Sequence, residues 1–324
     1  MRLTILAIVI FLIECLSISK VYGSADAKLS LFDQISNDEV LNLKVNKVKA
    51  SWKYEIIEGV RIFIRTMKVS DPKGVVLLTH GIQEFGARHI NTIKNLLENN
   101  YSVVSYDLMG HGFSTGAPVY VNSFFEYVNQ LSEIQKVVKK NFPQSKMFLM
   151  GHSMGGLITY LYATLMDVDS SVEGYILSSP ALGVGMNFLK TLQFYGSYLL
   201  SDHFQIKTSI SLDQLTNDPD EQVKAQTNPY LHRIITTKLG RELVLSSHLT
   251  QGLVKNWRKP LLLVLASNES IVDNNANKEV FDLIPSDIEK TLHIIENSRH
   301  EIHNSQIVAK NQFFQLLNHF LDSH

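Results

Sequence analysis

Two patterns of apolar and polar positions divide the chain. Residues 52–58 and 61–69 alternate between apolar and polar side chains on either side of Glu58 and Gly59, which predicts an antiparallel hairpin. Beyond residue 74, short continuous apolar runs alternate with stretches of helical spacing, as expected for strands buried on both faces and the helices that cover them. This alternation predicts an α/β fold with a mostly parallel, doubly wound sheet.

The elements of this predicted sheet follow one another in regular order. The predicted strands are 75–79, 101–106, 146–150, 174–178, 260–266 and 291–295, and the predicted helices are 88–99, 122–141, 153–166, 275–283 and 305–321. Residues 181–258 interrupt the order, because they hold no obvious buried strand but many apolar and aromatic positions. We therefore expect a helical cap, at about 183–256, inserted over the edge of the sheet where ligands bind in such folds.

The pentapeptide GHSMG at 151–155 lies where a predicted strand gives way to a predicted helix. This is the setting of a G-x-S-x-G nucleophile elbow, in which a sharp turn pushes the serine hydroxyl out of the sheet. Glycine two residues to either side of Ser153 leaves room for neighbouring backbone. The N-terminus of the following helix offers free N–H groups, including that of Met154, to an oxyanion. Ser153 is therefore the predicted nucleophile.

A serine nucleophile needs a general base, and in folds with this elbow the base follows the serine and the acid along the chain. His300 comes after strand 291–295 by a short polar loop, which carries it to the same sheet edge. His303 is the close rival, although it could equally be a solvated residue that opens the next helix. His293 lies within a strand, and His319 and His324 lie at the end of the last helix, so all three are poorly placed.

The loop after strand 75–79 supplies the second candidate for an oxyanion hole, the backbone N–H of Ile82. His80 lies in the same loop and is interpreted as a structural residue that holds it, because it precedes the nucleophile in the chain. His111 and His152 receive the same structural interpretation.

Several segments together resemble a known family. HGIQEFGAR at 80–88 resembles the H-G-x-x-E-H-x-x-R segment of monoacylglycerol lipases and bacterial lysophospholipases, and YDLMGHGFS at 106–114 resembles their D-x-x-G-H-G-x-S segment. GHSMGG at 151–156 is similar to their elbow, the pairs at 218–219 and 228–229 to the D-P pairs of their caps, and HEI at 300–302 to the H-E-x after their eighth strand. The resemblance covers residues 50–320 and implies an α/β-hydrolase that cleaves carboxylic esters of single-chain amphipathic lipids, with no metal or organic cofactor.

The chain departs from this family at two positions. Phe85 stands where the family often has histidine, and His89 stands where it often has tyrosine. Both are expected near the mouth of the substrate site, where they would alter the preference for a lipid headgroup and leave the chemistry intact.

The resemblance also bears on the acid of the triad. The family's D-x-I-V-D segment, laid over ESIVD at 269–273, implies Glu269 at the catalytic position and Asp273 at the second one. Glu269 lies on the loop at the active edge of the sheet, whereas Asp273 enters the next helix, where it can cap N–H groups. The alternative, in which Glu269 is a solvated loop carboxylate and Asp273 orients His300, stays open.

Apolar side chains of the predicted cap are candidates for an acyl-chain channel. Phe188, Leu192 and Tyr195 are the substrate-binding candidates, and ordinary helix core is their alternative role. The expected partner is thus an amphipathic lipid, with transient contact between the cap and a membrane surface. Nucleic acid is not an expected partner, because 30 basic residues are balanced by 31 acidic ones. The oligomeric state is left open.

The N-terminus is typical of a secretory signal. A basic start precedes an apolar run over residues 3–13, and small residues follow near Gly23, so residues 1–23 are predicted to be a cleaved signal peptide and the protein to be exported. An uncleaved membrane anchor is the alternative, but the run is short for a span and Glu14 interrupts it. Cleavage removes Cys15, the only cysteine, and leaves the hydrolase domain, residues 24–324, without disulfides.

The elbow, the candidate triad and the N-terminal signal predict an exported serine hydrolase that acts through an acyl-enzyme, and the resemblance implies monoacylglycerols or lysophospholipids as its substrates. A peptidase or a thioesterase is an alternative, since a fold does not fix the substrate. A catalytically idle binding module is another alternative, and the complete set of Ser153, Glu269 and His300 argues against it.

Overall fold

A computed structural model of the protein describes residues 48–167, 171–184, 201–208 and 210–324. The strands within these ranges are β1 (Lys49–Ile57), β2 (Val60–Lys68), β3 (Gly74–Thr79), β4 (Tyr101–Tyr106), β5 (Lys146–His152), β6 (Val172–Ser178), β7 (Gln205–Lys207), β8 (Ile234–Thr236), β9 (Leu261–Ala266) and β10 (Lys290–Ile295). The predicted hairpin corresponds to β1 and β2, which turn through Glu58 and Gly59 with positive φ angles of 49° and 80°.

Eight of the described strands form one sheet in the order β1-β2-β4-β3-β5-β6-β9-β10. β2 pairs antiparallel with β1 and with β4, whereas the pairs from β4 across to β10 are parallel. β3 and β9 are buried along their whole length, which explains why their sequences are continuous apolar runs. The predicted α/β fold with a mostly parallel sheet is confirmed.

The helices lie between the strands in the predicted order. Their bounds are α1 (Ile90–Glu98), α2 (Phe125–Asn141), α3 (Met154–Leu165), α4 (Leu212–Leu215), α5 (Pro219–Thr227), α6 (Thr237–Ser247), α7 (Thr250–Leu253), α8 (Asn274–Leu283) and α9 (Ile307–Ser323). Among the described residues, none of these helices has the length and apolar character needed to span a bilayer.

The chain between β6 and β9, called here the inserted segment, contains α4 to α7 and also β7 and β8. These two strands pair antiparallel in a small sheet of their own. The apolar pattern predicted helices here and no strand, because a three-residue strand carries too few alternating positions to be recognised. Phe188, Leu192 and Tyr195 lie outside the described residues, so their place in a channel stays a prediction, as do the cap bounds 183–256.

The parallel strands determine where the candidate site lies. β3, β5, β9 and β10 all end at the same edge of the sheet. The loops that follow these strands hold Ile82, Ser153, Glu269 and His300. Folding therefore brings together four segments that are far apart in the sequence.

Candidate active site

Ser153 lies on the tight turn between β5 and α3. Its backbone adopts φ 53° and ψ −121°, a strained conformation for a residue with a Cβ. Gly155 makes the turn possible, because a Cβ at that position would collide with the carbonyl oxygens of Thr79 and His80 at the end of β3. The turn holds Ser153 at the carboxyl end of the sheet, 6% exposed.

His300 and Glu269 form a buried hydrogen-bonded pair. Nδ1 of His300 lies 2.8 Å from Oε2 of Glu269, and the side chains are 4% and 1% exposed. A carboxylate accepts hydrogen bonds, so Nδ1 carries the proton and Nε2 is left as the basic nitrogen of the ring. Oε1 of Glu269 accepts the backbone N–H groups of Ser270 and Ile271 at 2.9 and 2.7 Å. Both oxygens of the carboxylate are therefore held in place.

Asp273 has a different position and different partners. Its Oδ1 accepts the backbone N–H groups of Asn275 and Ala276 at 2.9 and 3.4 Å and caps α8. The structure thus brings Glu269, and not Asp273, into contact with His300. A side chain as buried as that of Glu269 does not fit the alternative of a solvated loop carboxylate.

The pair changes the pKa of both of its members. Burial by itself raises the pKa of Glu269 and lowers that of His300, because it disfavours the charged forms. Their mutual attraction and hydrogen bond outweigh burial, so the pKa of Glu269 lies below its usual value and the pKa of His300 lies above its usual value. Glu269 is therefore anionic at neutral pH, and His300 is a stronger base than a free imidazole.

Two backbone N–H groups are available beside Ser153. Within the described ranges, the N–H groups of Ile82 and Met154 have no hydrogen-bond acceptor, as expected for Met154 because it is the first residue of a helix. Both residues and Ser153 line the same small cavity. The arrangement can therefore hold a negatively charged oxygen next to the serine.

Ser153 lies where a cleft of mixed polarity meets an apolar cavity. Ser153 and His300 line an open cleft of about 570 Å³. Its other lining side chains are partly polar, among them Gln83, Glu84, Thr208, His232 and Arg233, and partly apolar, among them Leu215 and Leu231. Ser153 also lines a second, smaller cavity. The other side chains that line this cavity are apolar, namely Ile82, Met154, Ala181, Val184, Ile210, Leu243, Ile271 and Val272. Such a site suits a substrate with one polar and one apolar end.

The histidines interpreted as structural are buried and hydrogen-bonded to the backbone. His80 donates from Nδ1 to the carbonyl oxygen of Gly81 at 2.7 Å, and its Nε2 accepts the N–H of Leu108 at 2.9 Å. Nδ1 of His152 donates to the carbonyl oxygen of Ser178 at 3.1 Å. Burial lowers the pKa of His152 to about 3, so this ring is neutral beside Ser153.

Three residues lie elsewhere than the sequence indicated. His303 is fully buried rather than solvated at a helix start. It stacks on His89 with ring centroids 4.3 Å apart, and His89 in turn bonds Oε1 of Glu84 at 3.2 Å. Phe85 is buried against Tyr230. The expectation that Phe85 and His89 lie at the substrate mouth is wrong, because the 3-10 turn at Gly86–His89 directs this segment into the interior.

Sequence reasoning gave no role to the charged residues of the HGIQEFGAR segment. Glu84 accepts the N–H of Gly81, which precedes Ile82. Arg88 is buried and pairs with Glu301 at 2.6 Å and with Glu221 of α5 at 2.9 Å. Glu301 follows His300, so this pairing joins the histidine loop to the inserted segment. The sequence did hold a signal for these roles, because Glu84, Arg88 and Glu301 each match a charged position of the motifs that the chain shares with the family.

This fold and this site define a class of protein, the α/β-hydrolases of the lipase and esterase type, which hydrolyse carboxylic esters. The chain belongs to the Hydrolase_4 family, described as serine aminopeptidase, S33, whose sequence model matches residues 70–306. The resemblance to the monoacylglycerol lipase and lysophospholipase group is likewise confirmed by individual relatives.

Two relatives and one solved structure illustrate the similarity. Phospholipase YtpA of Bacillus subtilis (strain 168) is 29% identical over 244 residues, which cover 74% of this chain and 92% of the relative. Monoglyceride lipase of Rattus norvegicus is 26% identical over 268 residues, which cover 81% of this chain and 86% of the relative. The crystal structure of a soluble variant of monoglyceride lipase from Saccharomyces cerevisiae, in complex with a substrate analog, matches with a TM-score of 0.76 at 19% identity and covers 87% of this chain and 98% of that one.

Proposed function

We propose that the protein is an exported serine hydrolase that cleaves the ester bond of monoacylglycerols or lysophospholipids through an acyl-enzyme. The observation that carries the chemistry is the hydrogen bond from His300, which lines the same cleft as Ser153, to the buried carboxylate of Glu269. The names of the relatives, a phospholipase and a monoglyceride lipase, support the class of substrate.

In the proposed acylation step, the Ser153 hydroxyl attacks the ester carbonyl carbon while Nε2 of His300 accepts its proton. The carbonyl oxygen becomes an oxyanion, which the N–H groups of Ile82 and Met154 stabilise. Glu269 stabilises the imidazolium and does not take up the proton itself. His300 then gives the proton to the departing alcohol oxygen as the carbon–oxygen bond breaks, and the acyl group stays on Ser153.

In the proposed deacylation step, His300 accepts a proton from water as the water oxygen attacks the acyl carbon. The same two N–H groups stabilise the second oxyanion. Its collapse breaks the bond to Ser153, returns the proton from His300 to the serine oxygen and releases the fatty acid.

The two ends of the substrate are assigned by polarity. The apolar cavity receives the acyl chain, because burial of each methylene contributes about 0.8 kcal/mol. The headgroup is assigned to the cleft of mixed polarity, which holds polar side chains that can bond it. Exposed apolar side chains on the inserted segment, Phe204, Leu245 and Leu249, support transient contact with the membrane or micelle surface that supplies the lipid.

The experiment treats the purified protein with a fluorophosphonate probe and with p-nitrophenyl butyrate, monooleoylglycerol, oleoyl lysophosphatidylcholine and an aminoacyl p-nitroanilide. We expect labelling at Ser153 and turnover of the esters, both lost in Ser153→Ala and both kept in Ser70→Ala, which changes an exposed serine. The family description names serine aminopeptidases. Hydrolysis of the anilide without the esters would therefore contradict the proposal and favour a peptidase.

Export is the part of the proposal that rests on residues 1–23 alone. N-terminal sequencing of protein recovered from outside the cytoplasm is expected to begin at Ser24. An intact N-terminus in the membrane fraction would contradict cleavage and favour an anchor.

A further inference from the structure

Gln83 connects the candidate oxyanion loop to the inserted segment. Its Nε2 donates to the carbonyl oxygen of Ile234 at 2.8 Å and to Oγ1 of Thr208 at 3.1 Å. Its own carbonyl oxygen accepts the N–H of His232 at 2.8 Å. Ile234 begins β8, Thr208 follows β7 and His232 precedes β8. The residue directly after Ile82 is therefore held by the β7–β8 pair.

Gln83 also adopts a backbone conformation that needs such support. Its φ angle is 65°, in the left-handed region that favours glycine. A residue with a Cβ stays in this region where surrounding contacts hold it there. Gln83 is 9% exposed, and the hydrogen bonds to β7 and β8 provide the contacts. A change at Gln83 therefore alters the loop that presents the N–H of Ile82.

The two residues that flank Ile82, Gly81 and Gln83, have hydrogen-bond partners in different parts of the molecule. The N–H of Gly81 donates to Oε1 of Glu84, and the carbonyl oxygen of Gly81 accepts from Nδ1 of His80. Both side chains are buried. On the other side, the hydrogen bonds of Gln83 to described residues all lead to the inserted segment. Ile82 lies between a support in the core and a support in the insertion.

We propose that Gln83 is a positioning residue through which the β7–β8 pair sets the position of the Ile82 N–H for oxyanion stabilisation. The inference rests on the proposed function and adds a positioning residue to it. The oxyanion hole is complete only when the β7–β8 pair is seated on Gln83. The inserted segment thereby acts on the chemical step as well as on lipid binding.

The first test uses two substitutions of Gln83 with p-nitrophenyl butyrate as the substrate. Gln83→Gly keeps the positive φ and the main-chain bond to His232 but removes the side-chain amide. Gln83→Glu keeps the shape but places an acceptor against the carbonyl oxygen of Ile234. A small misplacement of a catalytic group or the loss of an oxyanion donor costs roughly 10²-fold or more, so we expect kcat to fall about ten- to a hundred-fold in both variants with little change in KM.

The second test changes the partner instead of Gln83. Thr208→Val removes the hydroxyl that bonds Gln83, whereas Thr208→Ser keeps it. We expect a smaller loss of kcat in Thr208→Val and its rescue in Thr208→Ser. Gln222→Ala is the matched control, because the Gln222 amide also bonds a backbone carbonyl of the inserted segment, that of Thr216 at 2.8 Å, outside the cleft. Its kcat is expected to equal that of the wild type.

The third readout compares two inhibitors with the same acyl chain. A trifluoromethyl ketone forms a hemiketal oxyanion with the serine, whereas the matching methyl ketone binds without one. We expect the Gln83 variants to lose affinity for the trifluoromethyl ketone and to keep it for the methyl ketone. A merely structural role would weaken both inhibitors together.

The outcomes separate this inference from the proposed function. Ester turnover by the wild type, with unchanged kcat and unchanged trifluoromethyl ketone affinity in the Gln83 and Thr208 variants, would overturn the inference alone. Parallel losses of both inhibitors, without rescue by Thr208→Ser, would also overturn it. If Gln83→Glu fails to fold, the comparison of Thr208→Val with Thr208→Ser tests the inference in its place. A wild-type protein without ester turnover would reject the proposed function and this inference together.

Discussion

The sheet edge and the inserted segment hold the candidate site in different ways. At the sheet edge, the strands, their turns and the loops that follow them fix the geometry: the Ser153 turn lies between β5 and α3, and Glu269 bonds the N–H groups of the two residues that follow it. The inserted segment acts over long sequence separations. The carbonyl oxygen of Leu215 accepts the N–H of Glu301 at 2.8 Å, and the Gln214 amide donates to Oγ of Ser270 at 3.1 Å.

This difference has a consequence for how substrate binding and chemistry are related. The inserted segment makes hydrogen bonds to the loops of Gln83, Ser270 and Glu301, which adjoin the candidate oxyanion donor, acid and base. Elements proposed to select the substrate thus also contact the loops that hold the candidate catalytic residues. Substitutions at the sheet edge should act on chemistry or on global stability, and substitutions in the insertion should also change which substrate is preferred.

The largest expected effect lies at the sheet edge, in the carboxylate that orients the base. Glu269→Gln should lower kcat by about 10⁴-fold in a folded protein, as loss of the orienting carboxylate does in serine triads. The acid limb of any residual kcat/KM should also move to lower pH, because Glu269 holds the pKa of His300 above its usual value.

Asp273→Asn is the control for this substitution. It weakens a helix cap, so it should lower stability by about 1 kcal/mol in a thermal melt and leave kcat close to that of the wild type. The reverse result, with kcat lost in Asp273→Asn and kept in Glu269→Gln, would move the acid to Asp273.

The second expected effect concerns stability at the sheet edge. Asp107, after β4, bonds Arg65 through both oxygens at 2.6 and 3.0 Å in a buried pair. Asp107→Asn should lower the free energy of unfolding by about 3–5 kcal/mol, because it leaves a buried guanidinium beside a neutral amide. Urea unfolding measures the change. Asp322→Asn removes an exposed pair with Lys73 and should cost less than about 1 kcal/mol; equal losses would show that burial does not govern these pairs.

The third expected effect is a loss of stability in acid. Burial lowers the pKa values of His80, His111, His152 and His303. These groups bind more protons in the unfolded chain, so stability is fully present above their unfolded pKa near 6.5 and falls as the pH drops below it. With its folded pKa at about 3, His152 alone should account for roughly 2 kcal/mol between pH 7 and pH 5.

Melting temperatures between pH 5 and pH 8 check this third effect. His303→Phe should flatten the dependence of stability on pH, and His203→Gln, which changes an exposed histidine stacked on Tyr120, should leave it unchanged. A stability that does not vary over this range would mean that the folded protein takes up as many protons as the unfolded chain, which would contradict the lowered pKa values.

The smallest expected effect lies in the inserted segment. Leu243 of α6 is 4% exposed and lines the apolar cavity, whereas Leu245 of the same helix is 55% exposed. Leu243→Ala should change the ratio of kcat/KM between long and short p-nitrophenyl esters by a few-fold, since each buried methylene contributes about 0.8 kcal/mol. Leu245→Ala should leave the ratio unchanged. Equal behaviour of the two variants would remove the acyl chain from this cavity.

The sequence by itself determined the fold class, most strand and helix positions and the neighbourhood of the candidate catalytic residues. These features depend on periodicity and on motifs of five to nine residues, in which the deciding contacts lie a few positions apart. The pairing of a serine after β5 with a histidine after β10 also follows, because parallel strands carry their following loops to one edge. The acid was narrowed to Glu269 or Asp273, and their partners in the structure, His300 for one and the N-terminus of α8 for the other, separate the two.

Only the tertiary structure decided the burial of Phe85 and His89, the β7–β8 pair and the attachment of Gln83 to it. Gln83 and Ile234 are 151 positions apart, and nothing in the local pattern of either residue indicates the other. Such contacts depend on how the inserted segment lies against the sheet edge, which is set by the packing of many side chains at once rather than by the spacing of a few.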